Sequence, residues 1–283
     1  MPNPTLLDQR LTALGRALTG YASVMVAFSG GADSAFLLAA AVRALGPGNV
    51  VAATAHSASL AQAERGPAER FCHDLGVRHL TPETHEMGRA GYRANAGDRC
   101  YFCKAELLDV LAPIAAGLGI AVVASGTNAD DAVAGFRPGM RAADERGAVT
   151  PLRDAGLTKA QVRAASHAWG LPTWDKPAAA CLSSRIAYGV EVTPTRLARV
   201  ERAEVAVRAV LVGAGLTVAN LRVRDLGDLG RLELDATLVG AASALPAILT
   251  AVRDAGFERV EIDPQGFRSG AMNELLAEPD RYR

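Results

Sequence analysis

Six residues, Ser29-Gly30-Gly31-Ala32-Asp33-Ser34, constrain this chain more than any other stretch. Before them runs Val24-Met25-Val26-Ala27-Phe28, apolar throughout, as expected of a strand buried on both faces of a parallel sheet. After them come Ala35 to Val42, a run rich in strong helix formers. The pattern predicts strand, tight turn, helix. Gly30 and Gly31 allow backbone conformations, and a close approach to a ligand, that a side chain would forbid. The turn opens on a helix N-terminus, where unpaired N–H groups and the macrodipole favour an anion. Ser29 and Ser34 add hydroxyls, and Asp33 adds a carboxylate suited to Mg²⁺. An isolated SGG says little, and a capped strand-turn-helix is the plain alternative. SGGxDS between a buried strand and a helix is far more specific. It is not the GxxxxGK[ST] phosphate loop, because the lysine is missing.

With 283 residues, 49% of them hydrophobic, the chain can bury a full core and is expected to form two domains. Its formal net charge is zero and no basic block stands out, so no nucleic-acid partner is expected. Arginine greatly outnumbers lysine; the only lysines are Lys104, Lys159 and Lys176, and all three fall in motif-like stretches. No apolar run reaches membrane length and no signal-peptide pattern is read, so the expected location is cytoplasmic. In that setting Cys72, Cys100, Cys103 and Cys181 are expected as thiols for metal, catalysis or packing, not as disulfides.

Along the chain, 5–20 reads as an amphipathic helix with Leu6, Leu7, Leu11, Leu14 and Leu18 on one face. Val50 to Ala55 is a second strand, with His56 just past its end, a position where a solvated loop histidine is the plainer reading. A helix over 62–75 and a strand over 77–80 follow. Residues 95–99 form a loop, and a helix starts at Cys100. Residues 121–125 are a fourth strand ending in Gly126-Thr127-Asn128-Ala129-Asp130-Asp131. Residues 137–141 read as a loop and 149–152 as a fifth strand. Thr158 and Gln161 have the spacing of a capping box. Strand and helix in alternation mean an α/β fold with a parallel sheet flanked by helices. After about Thr193 the character changes to a smaller α+β unit. It holds a helix over 195–212, strands at 221–224 and 231–235, a helix over 243–255 capped by Ser243, and a strand at 259–262. The expected domains are 1–190 and 191–283.

Three further features belong with the turn. Gly126 and Thr127, with the two carboxylates behind them, lie at a strand end expected beside the first strand, where α/β sheets bind ligands. Cys100-x-x-Cys103 opens a helix, a position that lowers a thiol pKa. It suits half a metal site or a redox pair, though four ligands would be needed for zinc and no second cysteine pair exists. Trp174-Asp175-Lys176-Pro177-Ala178-Ala179-Ala180-Cys181-Leu182-Ser183-Ser184-Arg185 sets a cysteine among cations, which favours the reactive thiolate. In the second domain Arg222 and Arg224 share one face of a strand and suit a phosphate clamp, with a solvated strand face as the plainer reading.

The turn resembles the PP-loop of ATP pyrophosphatases, which split ATP between the α- and β-phosphates. Taken with DRCYFCK, GTNADD, PLRDAGLTK and WDKPAAACLSSRIAYG, in that order over nearly the whole chain, it resembles the LarE family. These are ATP-dependent sulfur transferases of nickel-pincer nucleotide synthesis. The resemblance implies a PP-loop (adenine nucleotide alpha hydrolase-like) sheet domain with a C-terminal acceptor-binding or oligomerisation domain. It implies ATP on Ser29, Gly30, Gly31, Asp33, Ser34, Gly126 and Thr127, Mg²⁺ on Asp33, and catalysis by Asp33, Lys176 and Cys181. The acceptor, a pyridinium dicarboxylate mononucleotide, is assigned to Arg185, Arg222, Arg224 and Glu204, and Glu233 resembles an acidic family position that suits a metal. Gly266 to Asn273 resembles another family signature without an evident role. A homo-oligomer is the expected assembly.

In sacrificial members the sulfur comes from the position of Cys181, which ends as dehydroalanine. A CxxC followed much later by one cysteine also resembles the cluster-dependent tRNA thiolation enzymes of the superfamily. There three thiolates hold a 4Fe–4S cluster and leave one iron open for hydrosulfide. On that basis a cluster on Cys100, Cys103 and Cys181 is the favoured expectation, with sacrifice of Cys181 as its alternative. Other readings are tRNA 2-thiolation, an ammonia-dependent amide-forming ATP pyrophosphatase, and a nucleotide-binding sensor without catalysis. Neutral charge weighs against the first, and the cysteine set is superfluous to the others.

Overall fold

The computed structural model describes residues 5–133, 138–177, 181–268 and 270–276. They form two compact units, one of residues 5–86 and 100–177, the other of 87–99 and 181–276, each without the residues left undescribed. The second unit therefore takes in a short excursion, 87–99, and begins near 180, ahead of the boundary expected at 190.

The first unit holds a four-stranded, all-parallel sheet in the order β3-β2-β1-β4, with β1 Val24–Ala27, β2 Val50–Ala53, β3 Arg78–Leu80 and β4 Val122–Ser125. Every residue of β1 and β2 is buried, as their unbroken apolar runs require. Val24 and Val26 join the core under the helices Leu6–Gly20, Ala32–Leu45 and Lys159–Ala168, whereas Met25 and Ala27 meet Leu111 and Ala115 of the helix Arg99–Gly117. Helices thus cover both faces. The chain adds β2 and β3 on one side of β1, then returns to add β4 on the other. The turn after β1 and the turn after β4 are in consequence neighbours at the carboxyl edge, the reversal point where open sheets bind ligands.

Local signals explain most of the element ends. Thr5 and Asp8 close a capping box on the first helix, and Thr158 with Gln161 closes the expected one on Lys159–Ala168. Two expectations need correction. Residues 138–141 of the expected loop belong to a helix, Pro138–Glu145; Arg137 lies outside the described residues. The expected fifth strand shrinks to one bridge, Ala124 with Val149, because Pro151 cannot donate to a ladder and starts the helical turn Pro151–Asp154.

The second unit packs the helices Pro194–Gly213 and Pro246–Asp254 with a sheet of order β5-β6-β7, where β5 is Leu221–Asp225, β6 Leu229–Leu234 and β7 Arg259–Ile262. Leu197, Val200, Ala203, Val207 and Leu211, at helical spacing, bury one face of the long helix. Ser243 does not cap the later helix, as expected of it. It ends the short helix Val239–Ser243 and donates to Val239 O at 2.8 Å, while Pro246 opens the next helix after Leu245. Buried Asn95, in left-handed conformation, holds the excursion in this unit by donating to the carbonyls of Ile186, Ala187 and Val190. Among the described residues no single helix is long and apolar enough to cross a membrane.

Candidate active site

The Ser29–Ser34 turn is locked by its own side chains. Ser34 Oγ donates to Gly31 O at 3.1 Å, accepts from Ser29 N at 3.3 Å and lies 3.1 Å from Ser29 Oγ. Gly30 has φ +71°, a conformation that favours glycine. Gly31 occupies the cap position of Ala32–Leu45 and offers no side-chain acceptor, so the first-turn N–H groups have no capping side chain and can face an anion.

Gly126, first residue after β4, lies against this helix start. A Cβ there would sit 2.9 Å from Ser34 N and 3.0 Å from Ser34 Cα. Only glycine lets the two turns touch. Gly126→Ala is expected to force them apart and lower stability by about 1–3 kcal/mol in urea unfolding, the usual cost of overpacking. Thr127 Oγ1 lies 3.2 Å from Ser125 Oγ, while its carbonyl accepts from Arg153 N at 3.1 Å. The carboxylates expected to line a pocket here tie loops instead. Asp131 accepts from Asn128 N at 3.1 Å, and Asp130 accepts from Lys159 N at 2.8 Å.

All three lysines converge on this edge. Lys159 Nζ pairs with Asp33 Oδ2. Lys176 Nζ donates to Gly30 O at 2.9 Å and to Glu64 Oε2 at 2.6 Å. Lys104 Nζ donates to Ser125 Oγ at 3.0 Å, and burial lowers its pKa against the opposing pull of Cys103. Lys159, Lys104 and Glu64 stand beside the sequence-derived set without having been assigned to it. The scarcity of lysine was the available signal for the first two; Glu64 had none.

Burial raises the Asp33 carboxyl above its usual range, outweighing the Lys159 ammonium that pulls it down. Its Oδ1 is buried without a hydrogen-bond partner among the described residues. An orphaned, buried carboxylate oxygen beside an uncapped helix start fits Mg²⁺, which takes one or two carboxylates together with substrate phosphates.

Cys100 and Cys103 lie one turn apart at the start of Arg99–Gly117, exposed and half-buried, whereas Cys72 is fully buried and its thiol is pushed up to about 12 by burial. Cys72 is a packing residue. Exposed Cys181 belongs to the second unit and heads the turn Leu182–Arg185, its Sγ 2.9 Å from Ser183 Oγ. Among the described residues no three His, Cys, Asp or Glu side chains are grouped to hold a metal ion.

The second unit gathers arginines over β5. Buried Arg185 pairs with Glu204 at 3.0 and 3.3 Å and also donates to Cys181 O at 3.0 Å. Buried Arg224 pairs through two nitrogens with Glu233 Oε2, at 2.6 and 2.9 Å. Glu233, expected as a metal ligand, is thus placed as a counter-ion to Arg224, and Glu204, expected to touch an acceptor, as one to Arg185. Arg222 is pushed down to about 10, chiefly by burial and then by the nearby Arg185 charge, with Arg224 and Arg208 adding to it. Several guanidiniums this close favour an anion among them. Phe267 lies beneath Arg222, 5.5 Å from its guanidinium carbon. It is placed there by Gly266, where a Cβ would meet Leu234 O at 2.6 Å. That contact gives the 266–273 segment a place in the fold; Ser269 lies outside the described residues.

No protein-family model matches the chain. It is similar to the pyridinium-3,5-bisthiocarboxylic acid mononucleotide synthase of Lactiplantibacillus plantarum, 33% identical over 273 residues that cover 96% of each protein. The chain belongs to the LarE family. It is also similar to an uncharacterized protein of Synechocystis sp., 38% identical over 274 residues that cover 96% of this chain and 99% of that protein. An uncharacterized protein of Methanocaldococcus jannaschii is 28% identical over 175 residues, 62% of this LarE-family chain and 66% of the relative.

Proposed function

We propose that this LarE-family protein is an ATP-dependent sulfur transferase of nickel-pincer cofactor synthesis. It adenylates a carboxylate of a pyridinium dicarboxylate mononucleotide and replaces the adenylate with sulfur, giving a thiocarboxylate. The observation that carries the reading is the carboxyl edge of β1 and β4, where an uncapped helix start, Gly126 and Lys104, Lys159 and Lys176 meet. Full-length kinship to the L. plantarum synthase supplies the substrate class.

The first-turn N–H groups and Ser29 hold the triphosphate, and Lys159 and Lys176 neutralise its charge. Mg²⁺ on Asp33 supplies further stabilisation of the charge that collects on pyrophosphate. The acceptor carboxylate attacks the α-phosphorus, the bond to the β-phosphate oxygen breaks, and pyrophosphate leaves. A sulfur nucleophile then attacks the acyl carbon and AMP leaves. Arg185, Arg222 and Arg224 hold the acceptor's phosphate. Arg222→Ala is expected to weaken the acceptor about ten- to a hundredfold, the loss of one charge-assisted contact, with ATP affinity unchanged in the same titration. Acceptor-dependent release of pyrophosphate and AMP tests the adenylation step; release of ADP, or none, refutes it.

Two sulfur sources are each favoured by an observation. Cys100 and Cys103, one helical turn apart, suit two ligands of a 4Fe–4S cluster completed by Cys181, which would offer an open iron for hydrosulfide. Cys100 and Cys103 would come from the first unit and Cys181 from the second. Cys181, exposed beside Ser183 Oγ, suits direct attack. In that route the thiolate displaces AMP to form a thioester. Loss of the Cys181 Cα proton then breaks the Cβ–S bond, which releases the thiocarboxylate and leaves dehydroalanine.

A further inference from the structure

Glu64 stands in the first turn of the helix Gln62–Asp74, outside every motif that carries the family resemblance. Its Oε2 holds Lys176 Nζ at 2.6 Å while the same nitrogen donates to Gly30 O at 2.9 Å. Seen from a Cβ built on Gly30, Lys176 Nζ is at 3.8 Å and Glu64 Oε2 at 4.0 Å. Both charges therefore lie directly over the first glycine of the turn. Arg163 Nη2 donates to Lys176 O at 2.8 Å and fixes the base of the lysine while Glu64 fixes its tip.

We infer that Glu64 is the resting counter-ion of Lys176, a positioning residue that holds the ammonium over the turn until a polyphosphate takes it. The inference rests on the reading that the turn binds the phosphates of ATP. An ammonium has three N–H donors. One goes to Gly30 O and one to Glu64, which leaves the third for an arriving phosphate; that phosphate shares the ammonium's charge with Glu64 and meets a carboxylate of its own sign. Glu64 keeps Lys176 in place in the empty site and lowers the affinity for the pyrophosphate product, which favours its release. The Asp33–Lys159 pair has the same form, but Asp33 also fits the metal. Glu64 carries the counter-ion role alone.

Titration calorimetry of inorganic pyrophosphate onto the full chain, with wild type, Glu64→Gln and Glu64→Asp, tests this. Glutamine keeps an oxygen that accepts from Lys176 and removes only the charge; aspartate keeps the charge. Pyrophosphate is expected to bind Glu64→Gln about two- to fivefold tighter than wild type, the range for a partly exposed ion pair. The gain should shrink with added salt, and Glu64→Asp should remain near wild type. KM for ATP should fall in Glu64→Gln without a rise in kcat. Equal or weaker pyrophosphate binding by Glu64→Gln, with wild type binding normally, overturns the inference, as does a lowered melting temperature with no gain in affinity. A wild-type chain that binds neither pyrophosphate nor ATP overturns the ATP reading beneath it.

Discussion

Asp33→Ala is expected to lower pyrophosphate formation by a factor of about 10²–10³, the loss typical of removing one preorganised charge-stabilising contact in a closed site. The expectation rests on the orphaned Oδ1 and on Lys159, which loses its carboxylate partner in the same variant. A control separates chemistry from folding. Because burial holds the Asp33 carboxyl above its usual range, the fold favours the neutral form relative to the unfolded chain. The sign follows: ionised Asp33 costs stability that grows as pH rises through its raised pKa. Asp33→Asn should therefore melt no lower than wild type at neutral pH without nucleotide, yet be as inactive as Asp33→Ala. Pyrophosphate release at the wild-type rate in either variant would remove Asp33 from the machinery.

Cys181→Ser is expected to abolish thiocarboxylate formation and to leave acceptor-dependent pyrophosphate release intact, because the sulfur step follows adenylation. A serine oxygen can neither ligate iron as a thiolate does nor give up sulfur. Cys100→Ala then separates the two sources. A cluster requires each thiolate, so this variant would lose iron–sulfur absorbance and multiple turnover with added sulfide. Sacrifice leaves it active for one turnover, with wild-type Cys181 lighter by about 34 Da, the mass of H₂S lost on forming dehydroalanine. Thiocarboxylate made by Cys181→Ser at the wild-type yield would exclude both.

What the residues announced in advance was the part governed by local chemistry. Two strands buried on both faces show as unbroken apolar runs, and Ser29 to Ser34 show as a turn because glycine reaches backbone conformations that other residues avoid and serine hydroxyls bond to the local backbone. The capping box at Thr158 was legible for the same reason: its partners lie three residues apart. What stayed hidden depends on neighbours distant in sequence. Glu64 and Lys176 are 112 residues apart, and nothing in the first helix turn after Ala61 marks Glu64 as the partner of a lysine. Arg222 and Arg224 read as twins on one strand face, yet Arg224 is buried against Glu233, and Phe267 underlies Arg222. The expected loop at 137–141 and the expected strand at 149–152 each hold a proline, and at Pro151 a proline in the first turn starts a helical segment where a strand was expected.

ATP cleavage to AMP and pyrophosphate is proposed to drive the exchange of oxygen for sulfur on a nucleotide carboxylate. Mass spectrometry of a pyridinium dicarboxylate mononucleotide, after incubation with the protein, Mg²⁺, ATP and added sulfide, is the decisive measurement. A thiocarboxylate is the expected product, with AMP and pyrophosphate each formed in equal amounts to the sulfur inserted. An unchanged acceptor, an amide in its place when ammonia is supplied, or ATP converted to ADP would contradict it.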